Sequence, residues 1–200
     1  MNVACLDLEG VLVPEIWIRV AEATGVPELR VTTRDIADYD ELMTYRLKVL
    51  ADQGITLSQI QTVIAEMGPM PGAADFLNWL RERFQVVILS DTFYEFAMPL
   101  MAQLGYPTLL CHKLQIADDR IVGYSLRQPN AKRASVQAFH QLNFRVVATG
   151  DSYNDTAMLA EADAGILFRP PANVIAEFPQ FPVVTDYAEL REAFAGALTR

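Results

Sequence analysis

Five short runs of aliphatic residues punctuate the chain, at 3–8, 86–89, 107–110, 145–149 and 164–168, and each gives way to polar or glycine positions. Runs of that length suit strands buried on both faces. The segments between them carry apolar residues at three- and four-residue spacing. In 72–83, Phe76, Leu77 and Leu80 share one helical face, and 93–104, 132–142 and 153–162 repeat the pattern. Strand and helix in alternation predict an α/β fold: a doubly wound, parallel-sheet, Rossmann-like core with helices on both faces.

One stretch breaks the alternation. After Pro14 the pattern predicts helices over 16–23, 39–52 and 58–66, with no strand before Phe84. This reads as an inserted helical cap, entered at Val13-Pro14 and left at Gly68-Pro69-Met70-Pro71-Gly72, where Pro and Gly stop helices and concentrate backbone adjustment. The expected division is a catalytic core of 1–13 and 71–200 and a cap subdomain of 14–70. Farther on, 112–116 and 121–126 flank Asp118-Asp119-Arg120 and read as a small hairpin. The sequence holds no internal repeat and no low-complexity segment.

Two hundred residues, 52% of them apolar, suffice for one sizeable core and a small appendage. A net charge of −9 repels polyanions, which argues against nucleic acid as a partner. The longest apolar clusters, such as Val86-Val87-Ile88-Leu89, are strand-sized, so no membrane span is expected. The start, with a carboxylate already at Asp7, lacks the pattern of a secretory signal, and a cytoplasmic location is expected. Cys5 and Cys111 sit among apolar neighbours and read as buried thiols of a reducing compartment.

Open α/β sheets deliver functional groups at the carboxyl ends of their strands. Just after the apolar runs stand Asp7 and Glu9, then Ser90 and Asp91, then Asp151, Asn154 and Asp155, while Lys132 opens a helix. This set offers hard oxygen donors for Mg²⁺, and a cation with a hydroxyl for a phosphoryl group. His112 and His140 look isolated in the sequence, so a zinc site is not expected. Taken singly, Asp7, Ser90 and Ser152 read as helix caps. Their ordered grouping outweighs that reading for all but Ser152, which stays a turn or cap residue. Arg133 reads as part of a solvated face.

In order along the chain, Asp7-Leu8-Glu9-Gly10, Ser90-Asp91, Lys132 and Gly150-Asp151-Ser152-Tyr153-Asn154-Asp155 resemble the motifs of the haloacid dehalogenase-like phosphatases. The resemblance implies that Asp7 attacks phosphorus to give an aspartyl phosphate. Mg²⁺ would be held by Asp7, Asp151 and the backbone carbonyl of Glu9. Glu9 would serve as general acid and base, Ser90, Asn154 and Lys132 would grip the phosphoryl oxygens, and Asp155 would support the metal site and Lys132 from behind. Asp91 falls beside the phosphate position, with its role open.

Within the cap, Glu15 and Arg46 offer a carboxylate and a guanidinium, complementary to the ammonium and carboxylate of an amino acid. The stretches 7–15, 89–96 and 150–155, with Phe178-Pro179-Gln180-Phe181-Pro182, are similar to the bifunctional phosphoserine phosphatase/homoserine phosphotransferase family. That implies a Mg-dependent phosphatase of phosphoserine, a small-molecule substrate, with homoserine as an alternative acceptor and Glu15 and Arg46 on the amino-acid part. Against ordinary phosphoserine phosphatases, Glu9 stands for an Asp, Val11 for a hydroxyl residue and Asp91 for a common Gly. The alternatives are a phosphatase of another small phosphomonoester, such as a sugar phosphate, and a non-catalytic relative that binds phosphorylated metabolites. Assembly as a homodimer is left open.

Overall fold

The computed structural model describes residues 1–32, 35–36 and 38–198. The chain runs β1 (Asn2–Leu6), α1 (Ile16–Thr24), a 3₁₀ turn (Pro27–Arg30), α2 (Tyr39–Gln53), α3 (Leu57–Ala65), α4 (Ala73–Arg81), β2 (Gln85–Phe93), α5 (Tyr94–Gln103), β3 (Thr108–Ala117), β4 (Arg120–Ser125) and α6 (Ala131–Gln141). It continues through β5 (Arg145–Gly150), α7 (Tyr153–Glu161), β6 (Ala164–Phe168), α8 (Ala172–Glu177), β7 (Val183–Val184) and α9 (Tyr187–Leu198). The strands form one sheet in the order β4-β3-β2-β1-β5-β6-β7. All pairs are parallel except β3 with β4. The reversal of order at β1, with crossovers on either side, makes the sheet doubly wound.

Side chains alternate across a strand, and here both faces are apolar. On β1, Val3 and Cys5 enter one cluster with Val87, Leu89, Val136, Val146 and Met158. Ala4 and Leu6 enter the other with Ile88, Val147, Ile166, Phe76 and Phe194. The unbroken aliphatic runs are thus two half-patterns interleaved. Both cysteines are unpaired and buried; burial pushes the Cys111 thiol up to about 12 and that of Cys5 higher still.

Helices α1 to α3 all lie between β1 and α4, and no strand intervenes among the described residues. Local signals fix their ends. Asp38 accepts the Glu41 N–H at 2.8 Å, Gly54 ends α2 in the left-handed conformation, and Thr56 with Gln59 forms a capping box on α3. This segment shares its apolar core with the sheet: Ile16, Val20, Met43, Ile60 and Ile64 join Phe93, Phe96 and Leu100 in one cluster. Its two connections are tied together, with the Met70 N–H donating to the Leu12 carbonyl at 2.9 Å.

Three expectations need correction. The runs expected at 107–110 and 112–116 are one strand, β3, because His112 and Lys113 continue the ladder rather than break it. The hairpin to β4 is present, and Asp118 and Asp119 turn it with φ of 48° and 61°. The second run also extends to Phe93, so that Ser90 and Asp91 lie within β2, and β1 ends at Leu6 rather than 8. The hairpin tip reaches the helical segment: the Leu57 N–H donates to the Asp119 carbonyl at 2.8 Å, and Ser58 donates N–H and Oγ–H to Asp119 Oδ1 at 3.0 and 2.8 Å. Tyr124 on β4 donates its hydroxyl to Asp40 on α2.

α8, β7 and α9 were not anticipated from the pattern. The Tyr187 hydroxyl on α9 donates to the Val11 carbonyl at 2.7 Å and so steadies the loop that follows β1. Phe76 is fully buried beneath it, 5.5 Å from the Tyr187 ring and 5.8 Å from that of Phe194. Phe76→Ala is expected to cost about 3–5 kcal/mol in urea unfolding, and Phe76→Leu about 1.5 kcal/mol or less. Equal costs for the two would mean that ring packing at this position contributes nothing.

Candidate active site

The carboxyl ends of β1, β2 and β5 open on one cavity of about 250 Å³. Asp7 follows β1 directly, and its N–H donates to the Thr149 carbonyl at 3.0 Å, so the side chain is fixed where the sheet stops. On β2 the register with β3 shifts between Leu89 and Phe93, which frees Ser90, Asp91 and Thr92 to line the cavity. Ser90 is buried, and its Oγ accepts the Thr92 N–H at 3.2 Å. Asp151, Ser152 and Asn154 follow β5; Asn154 is exposed on the first turn of α7 yet lines the same cavity.

Lys132, buried on the first turn of α6, links these strand ends. Its Nζ lies 2.7 Å from Asp155 Oδ1, 2.9 Å from Asp7 Oδ1 and 3.4 Å from Asp91 Oδ2. The three carboxylates hold the ammonium well above the usual lysine range against the opposing effect of burial. Asp155 is fully buried and fully used: its Oδ2 accepts the N–H groups of Asp151 and Ser152 at 3.0 and 3.1 Å and the Ser152 hydroxyl at 3.2 Å. Ser152 is the N-cap of α7, as its sequence context suggested. Arg133 pairs with Glu161 at 2.7 Å on an exposed face.

Three acids show the opposite electrostatics. Burial, followed by the charge of Asp155, pushes Asp7 well above the ordinary carboxylate range, with Lys132 pulling the other way. Burial and then Glu15 push Glu9 up to about 8, although its Oε2 accepts the Ile16 N–H at the start of α1 at 2.8 Å. Burial and then Asp155 push Asp151 up to about 7. Carboxylate oxygens of Asp7, Asp151 and Asp155 come within 4.8 Å of one another, and one lysine does not balance them. A hard divalent cation suits this donor set. Because the Asp155 oxygens are already engaged, Asp7 and Asp151 are the carboxylates left to hold it. Gly10 passes over the group at φ +74°, and a Cβ there would stand 2.5 Å from the Asp151 carboxylate carbon.

Across the cavity, Glu15 and Arg46 face the same space. Arg46 is buried, its guanidinium 4.5 Å above the Trp17 ring, with Nη2 donating to the Val31 carbonyl at 2.8 Å. Burial lowers it to about 10, with Glu9, Tyr39 and Glu15 opposing. Its buried Nε has no partner among the described residues.

Sequence reasoning missed Tyr39 and Trp17 as lining residues, and it left His112 isolated. Tyr39 donates its hydroxyl to the Asp91 carbonyl at 3.0 Å. His112 is buried, with Nε2 3.6 Å from Asp91 Oδ1, because the register of β3 sets it beside Phe93 on β2. His140 is paired too, 3.0 Å from Asp163. Among the described residues neither histidine belongs to a metal-binding group.

Residues 6–160 match the family model for haloacid dehalogenase-like hydrolases. Phosphoserine phosphatase ThrH of Pseudomonas aeruginosa is 64% identical over 100% of this chain and 98% of its own. A phosphoserine phosphatase of Pseudomonas syringae pv. tomato is 62% identical over 100% of this chain and 85% of its own. Among solved structures, the phosphoserine phosphatase of T. onnurineus in complex with NDSB-201 is similar with a TM-score of 0.72 and 27% identity, covering 94% of this chain and 92% of that one. With its fold, ordered motifs and end-to-end identity in agreement, this chain belongs to the haloacid dehalogenase-like hydrolase family.

Proposed function

We propose that the protein hydrolyses O-phospho-L-serine to L-serine and phosphate through an aspartyl phosphate on Asp7, and that it also passes the phosphoryl group to homoserine. One observation carries the reading: the Asp7–Lys132–Asp151 group and the Glu15–Arg46 pair open on the same cavity. One end suits a phosphoryl group and the other an α-amino acid. The identity to proteins named phosphoserine phosphatase supports the same substrate.

In this reading an Asp7 carboxylate oxygen attacks phosphorus while the bond to the ester oxygen breaks. Glu9, raised to about 8, is protonated at neutral pH and gives its proton to the departing serine oxygen. The resulting Glu9 carboxylate then takes a proton from water as that water attacks phosphorus and the Asp7 oxygen leaves. The hydroxyl of homoserine in place of water gives transfer. Ser90, Asn154 and Lys132 grip the phosphoryl oxygens, and Asp155 orients Lys132. Asp7, Asp151 and the Glu9 backbone carbonyl would hold Mg²⁺, which would supply the charge neutralisation that an anionic nucleophile needs to approach an anionic ester. Residues 14–70 act as a cap over the leaving group, Glu15 taking the ammonium and Arg46 the carboxylate. The unpartnered Nε of Arg46 supports that role for the guanidinium.

Asp7→Asn is expected to abolish turnover with the fold retained. Rapid quench with radiolabelled substrate should trap a hydroxylamine-sensitive phosphoenzyme in the wild type alone; undiminished turnover in the variant would overturn covalent catalysis at Asp7.

Stability should respond to pH in a definite direction. A carboxyl raised by folding contributes stability below its unfolded pKa of about 4 and loses it as pH rises through the folded value. For Glu9 and Asp151 those values are about 8 and 7. In EDTA, Tm is therefore expected to fall by roughly 5 °C or more between pH 5 and 9. Mg²⁺ should remove much of the fall, and Glu9→Gln should flatten it. A Tm that climbs over this range in EDTA would contradict the assignment.

For amino-acid recognition, Arg46→Ala should cost about 2–5 kcal/mol in kcat/KM for phosphoserine and much less for p-nitrophenyl phosphate. Arg46→Lys should rescue only partly, since an ammonium lacks the planar bidentate contact. The ratio of kcat/KM for the two substrates is the measurement, and an unchanged ratio would move specificity elsewhere in the cap.

A further inference from the structure

We propose that the Asp91 carboxylate is an internal competitor for the phosphoryl group: it ion-pairs with the Lys132 ammonium when the site is free, gives way to a phosphoryl oxygen, and returns to the ammonium as inorganic phosphate leaves. The inference rests on the phosphatase reading above and concerns how that site releases its product.

An ammonium has three N–H donors, and in this structure three carboxylates surround Lys132. Asp155 and Asp7 hold it at 2.7 and 2.9 Å, and both are buried. Two such contacts already fix the lysine, so a third carboxylate is not needed to position it. Asp91 is the longest contact, at 3.4 Å, and its side chain is 31% exposed, facing the cavity. It is therefore the partner that can be displaced. With Asp155 and Asp7 hydrogen-bonded to two of its N–H groups, Lys132 has the third for a phosphoryl oxygen, and the longest and most open of its ion pairs, that with Asp91, yields to the incoming anion.

Displacement does not strand Asp91. The Arg127 N–H donates to His112 Nδ1 at 3.1 Å, which leaves the ring proton on Nε2, 3.6 Å from Asp91 Oδ1. His112 is buried and set by the β2–β3 register, so its Nε2 stays beside the Asp91 carboxylate whether or not Lys132 is turned away. Tyr39 holds the Asp91 carbonyl at 3.0 Å, which pins the backbone while leaving the carboxylate free to shift. Lys132 and His112 outweigh burial and keep Asp91 ionised, with a pKa of about 2. His112 is thus a positioning residue, acting through Asp91.

The test is calorimetric titration of the Mg²⁺-loaded protein with inorganic phosphate. Asp91→Gly removes the competitor and should tighten phosphate binding about tenfold. Asp91→Asn, which keeps the shape and loses the charge, should tighten it by a smaller factor. His112→Asn leaves the carboxylate but takes away its alternative partner, so binding should weaken severalfold. In turnover of phosphoserine, Asp91→Gly should lower kcat, as slower product release does, and lower KM by a larger factor, so that kcat/KM rises. A merely structural Asp91 would weaken phosphate binding in every variant, and that result, or no change in any of them, would overturn the inference. If the Asp91 variants do not fold, unchanged or tighter binding in His112→Asn overturns it alone. Wild-type protein that releases no phosphate from phosphoserine would overturn the phosphatase reading as well, whereas wild-type turnover without the opposed shifts in phosphate binding defeats only the role of Asp91.

Discussion

A buried ammonium must be paired, since an uncompensated charge in the interior costs several kcal/mol. Lys132 meets that demand with carboxylates from three separate parts of the chain, at 7, 91 and 155. Asp7 follows β1, Asp91 stands near the end of β2, and Asp155 lies on the first turn of α7. The requirement therefore ties β1, β2, α6 and α7 together at one point, in addition to the apolar packing that they share. Asp155 extends the constraint by holding the N-terminus of α7 through the Asp151 and Ser152 N–H groups. A single ion-pair network thus joins the strand ends whose register the backbone ladders set, and shapes the site between them.

The same network leaves an excess of negative charge. Asp7, Glu9 and Asp151 are all shifted toward their protonated forms. Burial first and neighbouring negative charge second disfavour the ionised carboxyls, and the same two effects suit the site to a divalent cation. Stability and chemistry draw here on one electrostatic imbalance, and Gly10, whose missing side chain lets the loop cross Asp151, permits it to be built in so small a space.

Much of the core was legible because its strands are buried on both faces, which writes them as continuous aliphatic runs, and because Gly and Pro mark the exits of the helical segment. The site residues were legible as polar positions at the ends of those runs. The departures share one cause. Ser90, Asp91 and Thr92 read as a loop because polarity was taken to end the strand, yet they continue β2 as it enters the site. His112 looked like a break for the same reason, and its closeness to Asp91 depends on a strand register across some twenty residues that no local pattern encodes. Trp17 and Tyr39 read as ordinary positions of amphipathic helices, since what directs them at the cavity is the packing of α1 and α2 against the sheet. The pattern of α9 passed unread, although Tyr187 reaches back to Val11.

The contacts of the β3–β4 turn bear on how such proteins can be recombined. Asp119 receives the first N–H groups of α3, and Tyr124 binds α2, so a hairpin that belongs to the sheet clasps the far side of the helical segment. The segment is joined to the core in sequence at one neck, but in space this hairpin holds it as well. It is therefore not a cassette that can be exchanged at 14–70 alone: a graft from a relative would have to bring its own hairpin, which lies beyond the next helix and strand in the chain, and any change in the length of that turn would disturb the helix contacts together with the β3–β4 register.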